Sequence, residues 1–281
     1  MTTPENRYSR NEALFGQEGQ KQIMTSHVAI VGVGGLGSHV AQQLSFLGVR
    51  NQVLIDPDVV TQSSLNRLIG AVPADADEGK LKVDVVARMV RQILPESQVT
   101  SVPTTLNDSR ALEAFASCSS AFGCVDDDRV RLELITFCGR NRIPYFDLAT
   151  DTGGDDRDRW YGGRVLFSDV GQRCPACMDL LDQVSLRRSA MSGEELEVER
   201  RIYGVRADDL GASGPSVVGL NGVVASLAVM EWMVWATGLR LPNALLEYRG
   251  QAGGVFVSRD DPQPGCYYCS LWKAVGNGDA A

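Results

Sequence analysis

A glycine-rich turn between a strand-like run and a helical run is the first feature of the chain that could support chemistry. The apolar residues 28–31 lead into Gly32-Val33-Gly34-Gly35-Leu36-Gly37, and a helical pattern begins at Ser38. In a G-x-G-x-x-G turn the first glycine permits the tight bend, the second lets the backbone approach a phosphate, and the third lets helix and strand pack closely. Free N–H groups at the start of the helix attract an anion. The turn therefore predicts a nucleotide-phosphate site.

The turn alone does not identify the nucleotide. NAD or FAD is the usual interpretation, and Asp56, which ends the apolar run 53–55, has the position of a ribose-binding acid. A dinucleotide needs one such acid and few cations, whereas this chain carries many charges after its strand-like runs. An NAD-dependent oxidoreductase is therefore the weakest of the functions considered.

Several charged side chains follow the predicted strands. The segment 56–67 carries two acids, Asp56 and Asp58, and ends in Arg67. Ligands of open parallel sheets bind at the carboxyl ends of the strands, so Asp56, Arg67 and Asp126 are expected to converge on the glycine turn, and Lys82 can join them from its helix. A nucleoside triphosphate needs cations at its phosphates and a carboxylate for Mg²⁺. Each residue alone could be a solvated surface group, but the set favours a triphosphate, although no G-x-x-x-x-G-K-[ST] P-loop is present.

Two C-x-x-C pairs predict a metal site. They are Cys174-Pro175-Ala176-Cys177 and Cys266-Tyr267-Tyr268-Cys269. Two such pairs supply the four thiolates that Zn²⁺ accepts tetrahedrally, leaving no open position for catalysis. The long separation favours a structural clip between the loop after the sheet and the carboxyl end. The alternative is a pair of redox-active or incidental turns. The other cysteines, Cys118, Cys124 and Cys138, are expected to be buried small hydrophobes.

The composition limits the classes of protein to be considered. The chain has 281 residues, of which 44% are hydrophobic, and a formal net charge of −8. That charge disfavours nucleic acid and anionic membranes as partners. No secretory signal or membrane-spanning run is recognised, and the apolar stretch 217–234 is expected to be a buried helix. A cytoplasmic protein is the default expectation, and in that compartment seven cysteines favour metal binding or chemistry over disulfides.

Strand-like and helical segments alternate through the first half of the chain. This pattern predicts an α/β fold with a doubly wound, Rossmann-like, mainly parallel sheet, followed by a zinc-clipped carboxyl-terminal part. Strands are expected at 99–102, 120–125, 144–148 and 163–167, helices at 78–94, 109–116, 130–140 and 215–237, and antiparallel strands at 245–248 and 254–257. A loop is expected at 151–159, a polar crossing segment at 183–210 and a disordered tail at 276–281.

These motifs together resemble the ThiF/MoeB/HesA-type, ubiquitin-activating-enzyme-like adenylyltransferase family. The resemblance extends from Arg7 to Cys269 and includes an opening, Arg7-Tyr8-Ser9-Arg10, that is similar to the family's R-Y-x-R-Q. It also includes the D-x-D…S-x-L-N-R segment, Lys82, Asp126, both C-x-x-C pairs and a long helix at 217–231. The whole chain, 1–281, is then one adenylating domain, with a nucleotide-binding half at 6–150, a loop and crossing segment at 151–214, a part at 215–270 with the long helix and second cysteine pair, and a tail at 271–281.

The resemblance implies ATP-dependent adenylation of a carboxy-terminal glycine, typically on a ubiquitin-like β-grasp protein. The resemblance implies that Gly34, Gly35 and Gly37 lie beside the phosphates. It also implies that Asp56 binds the ribose and that Lys82 contacts the phosphates. The nucleotide would also be lined by Asp58, Ser63, Asn66, Arg67 and Asp127, with Mg²⁺ held by Asp126. Arg10, on a flexible amino-terminal arm, would reach the ATP of a partner subunit, which implies a homodimer.

Three departures from the family pattern affect the functional interpretation. The family's S-N-L-x-R-Q is here Ser63-Ser64-Leu65-Asn66-Arg67-Leu68, so two amides are lost. Asp127 replaces a frequent Asn. No cysteine occurs between Met178 and Gly265, where many members carry a nucleophilic one. We therefore expect an enzyme that stops at the acyl-adenylate and passes the acyl group from a ubiquitin-like protein or peptide to another acceptor. The alternative is a non-catalytic homologue that docks a ubiquitin-like tail or a partner.

Overall fold

The helices and strands are those of an α/β protein. In this computed structural model, residues 6–154, 158–169, 171–182, 186 and 216–274 are described. The elements are α1 (Ser9–Thr25), β1 (His27–Val31), α2 (Gly35–Leu47), β2 (Asn51–Ile55), a 3₁₀ helix (Gln62–Ser64), α3 (Pro73–Asp77), α4 (Lys82–Ile93), β3 (Gln98–Val102), α5 (Ser109–Ala116), β4 (Ser120–Gly123), α6 (Asp128–Asn141), β5 (Tyr145–Gly153), β6 (Trp160–Ser168), α7 (Val218–Thr237), β7 (Leu245–Arg249), β8 (Gly254–Val257) and α8 (Tyr267–Ala274).

All eight strands form one sheet in the order β3-β2-β1-β4-β5-β6-β7-β8. The first five strands in this order pair in parallel, and β6, β7 and β8 continue the sheet in antiparallel fashion. The chain crosses from β3 to β4 on the far side of β1, so the direction of winding reverses there. The predicted doubly wound, mainly parallel sheet is confirmed.

Helices cover both faces of the sheet. One buried cluster includes residues of α2, α4 and α7, and the second includes residues of α5, α6 and α8. The apolar α7 packs directly against the sheet, because a β-carbon at Gly163 would lie 2.4 Å from a methyl group of Val224. Its Trp232 is fully buried and donates a 2.9 Å hydrogen bond to Ser120 on β4. The predicted buried helix is therefore present; by length and composition it could also span a membrane.

Several element boundaries differ from the expectations. The helix expected at 78–94 begins at Lys82, because the chain turns at Gly79, which has a φ of 61°. The strand expected at 120–125 ends at Gly123. The expectation of a loop at 151–159 is wrong for its first part, because β5 continues to Gly153, which pairs with Trp160. The crossing segment 183–210, apart from residue 186, and the tail 276–281 lie outside the described residues.

Besides the short 3₁₀ helix and the five-residue α3, two helices were not predicted. The first is α1, so Arg10 lies in a helix and the expectation of a flexible arm is wrong. Ile23 anchors α1 in the core, and the buried Gln20 donates a 2.9 Å hydrogen bond to the Leu47 carbonyl at the end of α2. The second is α8, which starts within the second cysteine pair and packs its Trp272 against Gly139 of α6.

Candidate nucleotide cavity and cysteine cluster

The glycine turn joins β1 to α2 as predicted, and its glycines differ in what they contact. Gly32 has a φ of 81°, which an L side chain rarely adopts. A β-carbon at Gly37 would lie 1.9 Å from the Gly32 carbonyl oxygen, and one at Gly35 would lie 2.2 Å from Asn221 Nδ2. A β-carbon at Gly34 would meet no atom within 4 Å. Gly35 and Gly37 are thus required by packing, whereas Gly34 keeps space open at the start of α2.

Asp56 lies at the end of β2, directly beside the glycine turn. Its carboxylate accepts hydrogen bonds from two backbone amides, Val33 N at 2.8 Å and Asp58 N at 2.9 Å. Burial raises the pKa of Asp56 above its ordinary value, and the positive charge of Lys82 is the largest opposing influence. The side chain is therefore held in one orientation, with one oxygen bonded to the glycine turn and the other to the loop after β2.

A cavity of about 590 Å³ opens above the carboxyl ends of the parallel strands. This volume is typical of small-molecule sites. The predicted ligand-binding residues that line it are Gly34, Gly35, Asp56, Asp58, Arg67, Lys82, Asp126 and Asp127. Residues far apart in sequence are therefore brought to one edge of the sheet, where α/β folds bind their ligands.

Four predicted site residues do not line this cavity. Gly37 is buried beneath the turn, and Arg10 is exposed on α1. The Ser63 carbonyl and the Asn66 Oδ1 both accept hydrogen bonds from Arg67 Nη1, at 2.6 Å and 3.2 Å. Ser63 and Asn66 therefore orient the guanidinium of Arg67 and do not themselves form the cavity wall.

The two departures from the family pattern in this segment also lie away from the cavity. Ser64 is buried, and its hydroxyl accepts a 3.2 Å hydrogen bond from the Thr61 amide. Leu68 is 4% exposed and belongs to the core between the helices and the sheet. The loss of amides at these positions therefore removes no group from the cavity wall.

Lys82 enters the cavity from the first turn of α4. Its ammonium group lies 2.7 Å from Asp58 Oδ2, and the Asp58 side chain is 62% exposed. Because Asp58 faces solvent, this ion pair is worth little to stability and its lysine can be shared with an incoming anion. In charge, six acidic side chains and four basic ones line the cavity.

The sequence analysis did not identify several polar lining residues, of which Asn221 and Arg131 are the most deeply buried. Asn221, on α7, is 1% exposed and donates a 3.0 Å hydrogen bond to Ser216 Oγ. An amide inside an apolar helix was the available sequence signal, since a buried polar group needs a partner. Arg131, on α6, is 5% exposed, and its position three residues after Asp128 gave no comparable signal.

The four cysteines of the two C-x-x-C pairs come together on the face of the sheet that α5, α6 and α8 cover. Their sulfur atoms all lie within 4.8 Å of one another, and the Cys174–Cys266 and Cys177–Cys269 distances are both 3.7 Å. In a zinc tetrahedron with Zn–S bonds of about 2.3 Å, sulfurs are about 3.8 Å apart. Hydrogen bonding by the Cys269 thiol lowers the pKa of Cys174 to about 6, whereas burial raises the pKa of Cys177 to about 11 and the hydrogen bond to Cys174 raises the pKa of Cys269. The cluster thus fits a four-thiolate zinc site in both spacing and chemistry.

The three remaining cysteines are not poised as nucleophiles. Cys118 and Cys138 are buried, and Cys124 is half-buried. Burial raises the pKa of Cys118 to about 12 and raises the pKa of both other thiols well above the ordinary range. A thiol in such surroundings is almost entirely protonated at neutral pH.

Comparisons with known proteins agree with this architecture. The ThiF family model matches residues 8–270. The molybdopterin-synthase adenylyltransferase of Escherichia coli K12 is 34% identical over 268 residues, which is 94% of this chain and 95% of that protein. The sulfur carrier protein ThiS adenylyltransferase of the same organism is 33% identical over 61% of this chain and 66% of that protein. The match to the tRNA threonylcarbamoyladenosine dehydratase of E. coli K12 is 34% identical and spans 53% of each chain.

Solved structures share the fold at lower identity. E. coli MccB in complex with MccA-N7isoASN superposes with a TM-score of 0.73 at 20% identity, covering 95% of this chain and 75% of that one. A structure of E. coli MccB with ATP gives a TM-score of 0.69, also at 20% identity, over 94% of this chain and 74% of that one. With a family match over nearly the whole sequence and a relative aligned from end to end, the chain belongs to the ThiF family.

Proposed function

We propose that the protein adenylates the carboxy-terminal carboxylate of a ubiquitin-like protein or peptide, using Mg-ATP and releasing pyrophosphate. The observation that carries this proposal is the meeting of the glycine turn with Arg67, Lys82 and Asp126 in one cavity. Relatives named molybdopterin-synthase adenylyltransferase and ThiS adenylyltransferase support the reaction class. The fold is also that of MccB, for which a structure with ATP exists.

The charges of the cavity favour a metal-bound nucleotide. With six acidic and four basic side chains on its wall, the cavity does not by itself attract a bare triphosphate. A magnesium ion held by Asp126, with Asp127 beside it, would neutralise both the carboxylates and the phosphates. Arg67 and Lys82 would contact the phosphates, and Asp56 and Asp58 would border the ribose.

The reaction requires little proton transfer by side chains. A carboxylate oxygen of the substrate attacks the α-phosphorus, an O–P bond forms, and the bond to the bridging oxygen of the β-phosphate breaks. Pyrophosphate leaves with the electron pair, and the acyl-adenylate remains. Positioning and charge neutralisation by Arg67, Lys82 and Mg²⁺ then supply most of the catalysis.

The names of the relatives support the substrate class that we propose. One is named for molybdopterin synthase and another for the sulfur carrier protein ThiS, whereas the MccB structure contains the peptide-derived ligand MccA-N7isoASN. A ubiquitin-like (β-grasp) protein or a peptide is therefore the substrate that we propose. After adenylation the acyl group would pass to a separate acceptor, because the described cysteines outside the metal cluster have raised pKa values.

A homodimer is proposed to complete the site. Arg10 is exposed at the start of α1 and does not line the cavity of its own chain. The helices α1, α2 and α7 pack on one another, and each carries an exposed apolar side chain: Leu14 (60%), Phe46 (58%) and Met230 (49%). A second copy covering this layer would bury these side chains and would bring an arginine toward the neighbouring cavity.

The dimer has a direct test by subunit mixing. Arg10→Ala and Asp126→Ala chains are each expected to be inactive as homodimers. In a mixed dimer one of the two sites retains both residues, so partial activity should return. Confirmed mixed dimers without any recovery would mean that Arg10 acts within its own chain or not at all.

The alternative function is a non-catalytic module that docks a ubiquitin-like tail or a partner subunit. The missing cysteine between Met178 and Gly265 favours it, but Ser64 and Leu68, the lost amides, lie outside the cavity wall. Arg67, Lys82 and Asp126 remain in the cavity, and a docking module has no use for them. These retained charges favour the enzyme.

The deciding experiment is ATP–pyrophosphate exchange. Purified protein, labelled pyrophosphate and Mg-ATP are mixed with β-grasp proteins ending in Gly-Gly or with carboxylate peptides. Exchange that depends on the substrate's free carboxylate would support adenylation, and a substrate with an amidated carboxyl end is the matched control. Substrate binding without exchange would favour the docking module, whereas NAD binding in calorimetry without an ATP response would reverse the choice of nucleotide.

Three further proposals accompany this function. We propose that chain 1–281 acts as one adenylating domain, that the four-cysteine cluster binds Zn²⁺, and that the protein works in the cytoplasm. The zinc would have a structural role, since four thiolates leave no position for substrate. It would hold Cys174 and Cys177 of the loop after β6 to Cys266 and Cys269 at α8.

A further inference from the structure

A buried network of charged side chains lies directly beneath the Asp126 loop. Its members are two arginines, two aspartates and a tyrosine, namely Arg131, Arg164, Asp128, Asp147 and Tyr145. Buried charges are costly unless they are paired and hydrogen-bonded, so a network of this size needs a reason. Neither the glycine turn nor the family motifs quoted for this chain include Asp147, Tyr145 or Arg164.

Arg131 connects this network to the nucleotide cavity. Its Nη2 donates one hydrogen bond to the carbonyl of Val125, the residue before Asp126, and a second one, of 3.1 Å, to the Leu148 carbonyl. Its Nη1 donates to Asp128 Oδ1 at 2.7 Å. One guanidinium therefore connects the backbone immediately before Asp126 to the middle of β5. Because its five donors have a rigid planar geometry, any rotation of the guanidinium would move this backbone as well.

Asp147 determines the orientation of that guanidinium. It is fully buried, and its Oδ1 accepts hydrogen bonds from Arg131 Nε at 3.1 Å and from the Tyr145 hydroxyl at 2.8 Å. The Tyr145 hydroxyl in turn occupies the space above Gly123, where a β-carbon would lie 2.2 Å from it. Asp147 does not line the cavity, whereas Arg131, to which it is hydrogen-bonded, does, so this contact links Asp147 directly to the site.

The other oxygen of Asp147 connects the network to the segment that follows the first cysteine pair. Among the described residues Asp147 Oδ2 has no hydrogen-bond partner; it lies 3.7 Å from Arg164 Nη2, which donates a 2.8 Å bond to the Leu180 carbonyl. Asp128 Oδ2 likewise accepts a 2.7 Å bond from the Asp182 amide. The network therefore has fixed anchors on two sides, which suits it to hold a loop in place.

We infer that Asp147 is a positioning residue for the magnesium site: through Arg131 it holds the Val125–Asp126 backbone so that the Asp126 carboxylate points into the cavity. This inference rests on the proposed function, because Mg-ATP is taken as the ligand. A purely structural role for Asp147 would affect the stability of the whole protein. A positioning role has a narrower consequence, which is a loss of the benefit that Mg²⁺ brings to ATP binding.

The measurement is the ratio of the dissociation constants of ATP in EDTA and in saturating Mg²⁺, obtained by calorimetry. Wild-type protein should bind ATP more tightly with Mg²⁺. In Asp147→Ala that ratio should fall about tenfold, since a hydrogen bond to a charged group is lost, and in Asp147→Asn, which retains a neutral acceptor, it should fall less. Binding in EDTA should change little. Phe146→Leu, a buried change on the opposite face of β5, is the control and should lower the melting temperature without altering the ratio.

A second variant covers the case in which Asp147→Ala does not fold. Asp147→Asn combined with Arg164→Met removes one buried charge of each sign, and such paired removal is often tolerated. This variant should fold and still show the reduced ratio. An unchanged ratio in a folded Asp147 variant would overturn the inference alone. An absence of any ATP binding by the wild-type protein would overturn the proposed function as well.

Discussion

The nucleotide cavity and the cysteine cluster both join distant parts of the chain, but they are built in opposite ways. The cavity is open at the edge of the sheet, and Asp58 and Asp126 face solvent. The cluster is more closed: Cys174 is fully buried, Cys177 and Cys269 are 4% and 6% exposed, and Cys266 is half-buried. The cavity thus has charges that an exchangeable ligand can reach, whereas the cluster has four ligand atoms that already lie within 4.8 Å of one another.

This difference distinguishes a site that exchanges its ligand during catalysis from a site that keeps a metal permanently bound. An exchangeable anion needs accessible cations and a metal that can leave with product, and the Lys82–Asp58 pair is open in this way. A permanent metal needs buried ligands and no vacant position. The following predictions test the contrast, beginning with the largest expected effect.

Loss of one ligand from the closed site should affect the whole protein. In Cys266→Ser we expect loss of bound zinc and insoluble or easily melted protein, because a structural zinc contributes on the order of 10 kcal/mol to folding. That amount is comparable to the whole stability of a typical domain. Elemental analysis and thermal melting measure the two effects.

The control for this prediction is Cys138→Ser, which changes a buried cysteine outside the cluster and should retain the zinc. Wild-type protein purified with less than a trace of zinc, and with its thiols free, would contradict the proposed zinc site. The cluster would then be two C-x-x-C turns that are merely adjacent.

Changes in the open site should reduce activity and leave the fold intact. Arg67→Ala and Lys82→Ala should each slow pyrophosphate exchange by about two orders of magnitude or more, because preorganised charges act on the transferring phosphorus in a water-poor site. Stability should change little, since the Asp58 partner of Lys82 is exposed. The exposed Arg140, at the far end of α6, provides the control Arg140→Ala.

Asp126→Ala should slow exchange similarly and should also weaken its dependence on Mg²⁺. If all three variants kept the wild-type rate, the nucleotide site would lie elsewhere. The contrast between an open catalytic site and a closed structural site would then fail.

The sequence predicted the parallel half of the fold better than the helices at its two ends. Strands and helices from β1 to β5 follow strong apolar periodicity, and the helix 109–116 was predicted with the bounds that the structure has. By contrast α1 has only three buried residues, among them Gly19 and Gln20, so its burial depends on packing against α2 and α7 and leaves little periodic signal. The short α8 depends on packing by the cysteine cluster and by Trp272, and no local sequence pattern predicts these contacts.

For the site, motifs predicted the residues that come directly after strands, and they could not predict what supports them. Asp56, Arg67 and Lys82 line one cavity because parallel strands end at a common edge. The Asp147–Arg131 contact joins residues on adjacent elements, and its recognition requires knowledge of which face of β5 meets α6. Buried polar networks depend on such registers and are therefore poorly visible in one sequence.

A comparison of Gly34 and Gly37 tests, within a single turn, the distinction between residues that bind the ligand and residues that maintain the fold. Gly37→Ala should destabilise the protein by about 1–3 kcal/mol or more, because the new β-carbon would lie 1.9 Å from the Gly32 carbonyl oxygen. Gly34→Ala meets no atom within 4 Å and should keep the melting temperature while weakening ATP binding. Equal effects of both substitutions on stability, with no effect on ATP affinity, would contradict a phosphate site at Gly34.

The smallest effect is expected for the three cysteines outside the metal cluster, of which Cys124 lines the nucleotide cavity. Covalent acyl transfer through this chain needs an accessible thiolate. Burial penalises the charged form and raises the pKa of Cys118 to about 12, so at neutral pH only on the order of one thiol in 10⁵ is ionised. Cys118→Ser, Cys124→Ser and Cys138→Ser should therefore leave adenylation and acyl transfer nearly unchanged, apart from modest losses of stability. Denaturing mass spectrometry after reaction with ATP and substrate provides the check. A thiol-sensitive mass increase that one of these substitutions abolishes would show that the chain carries the acyl group itself.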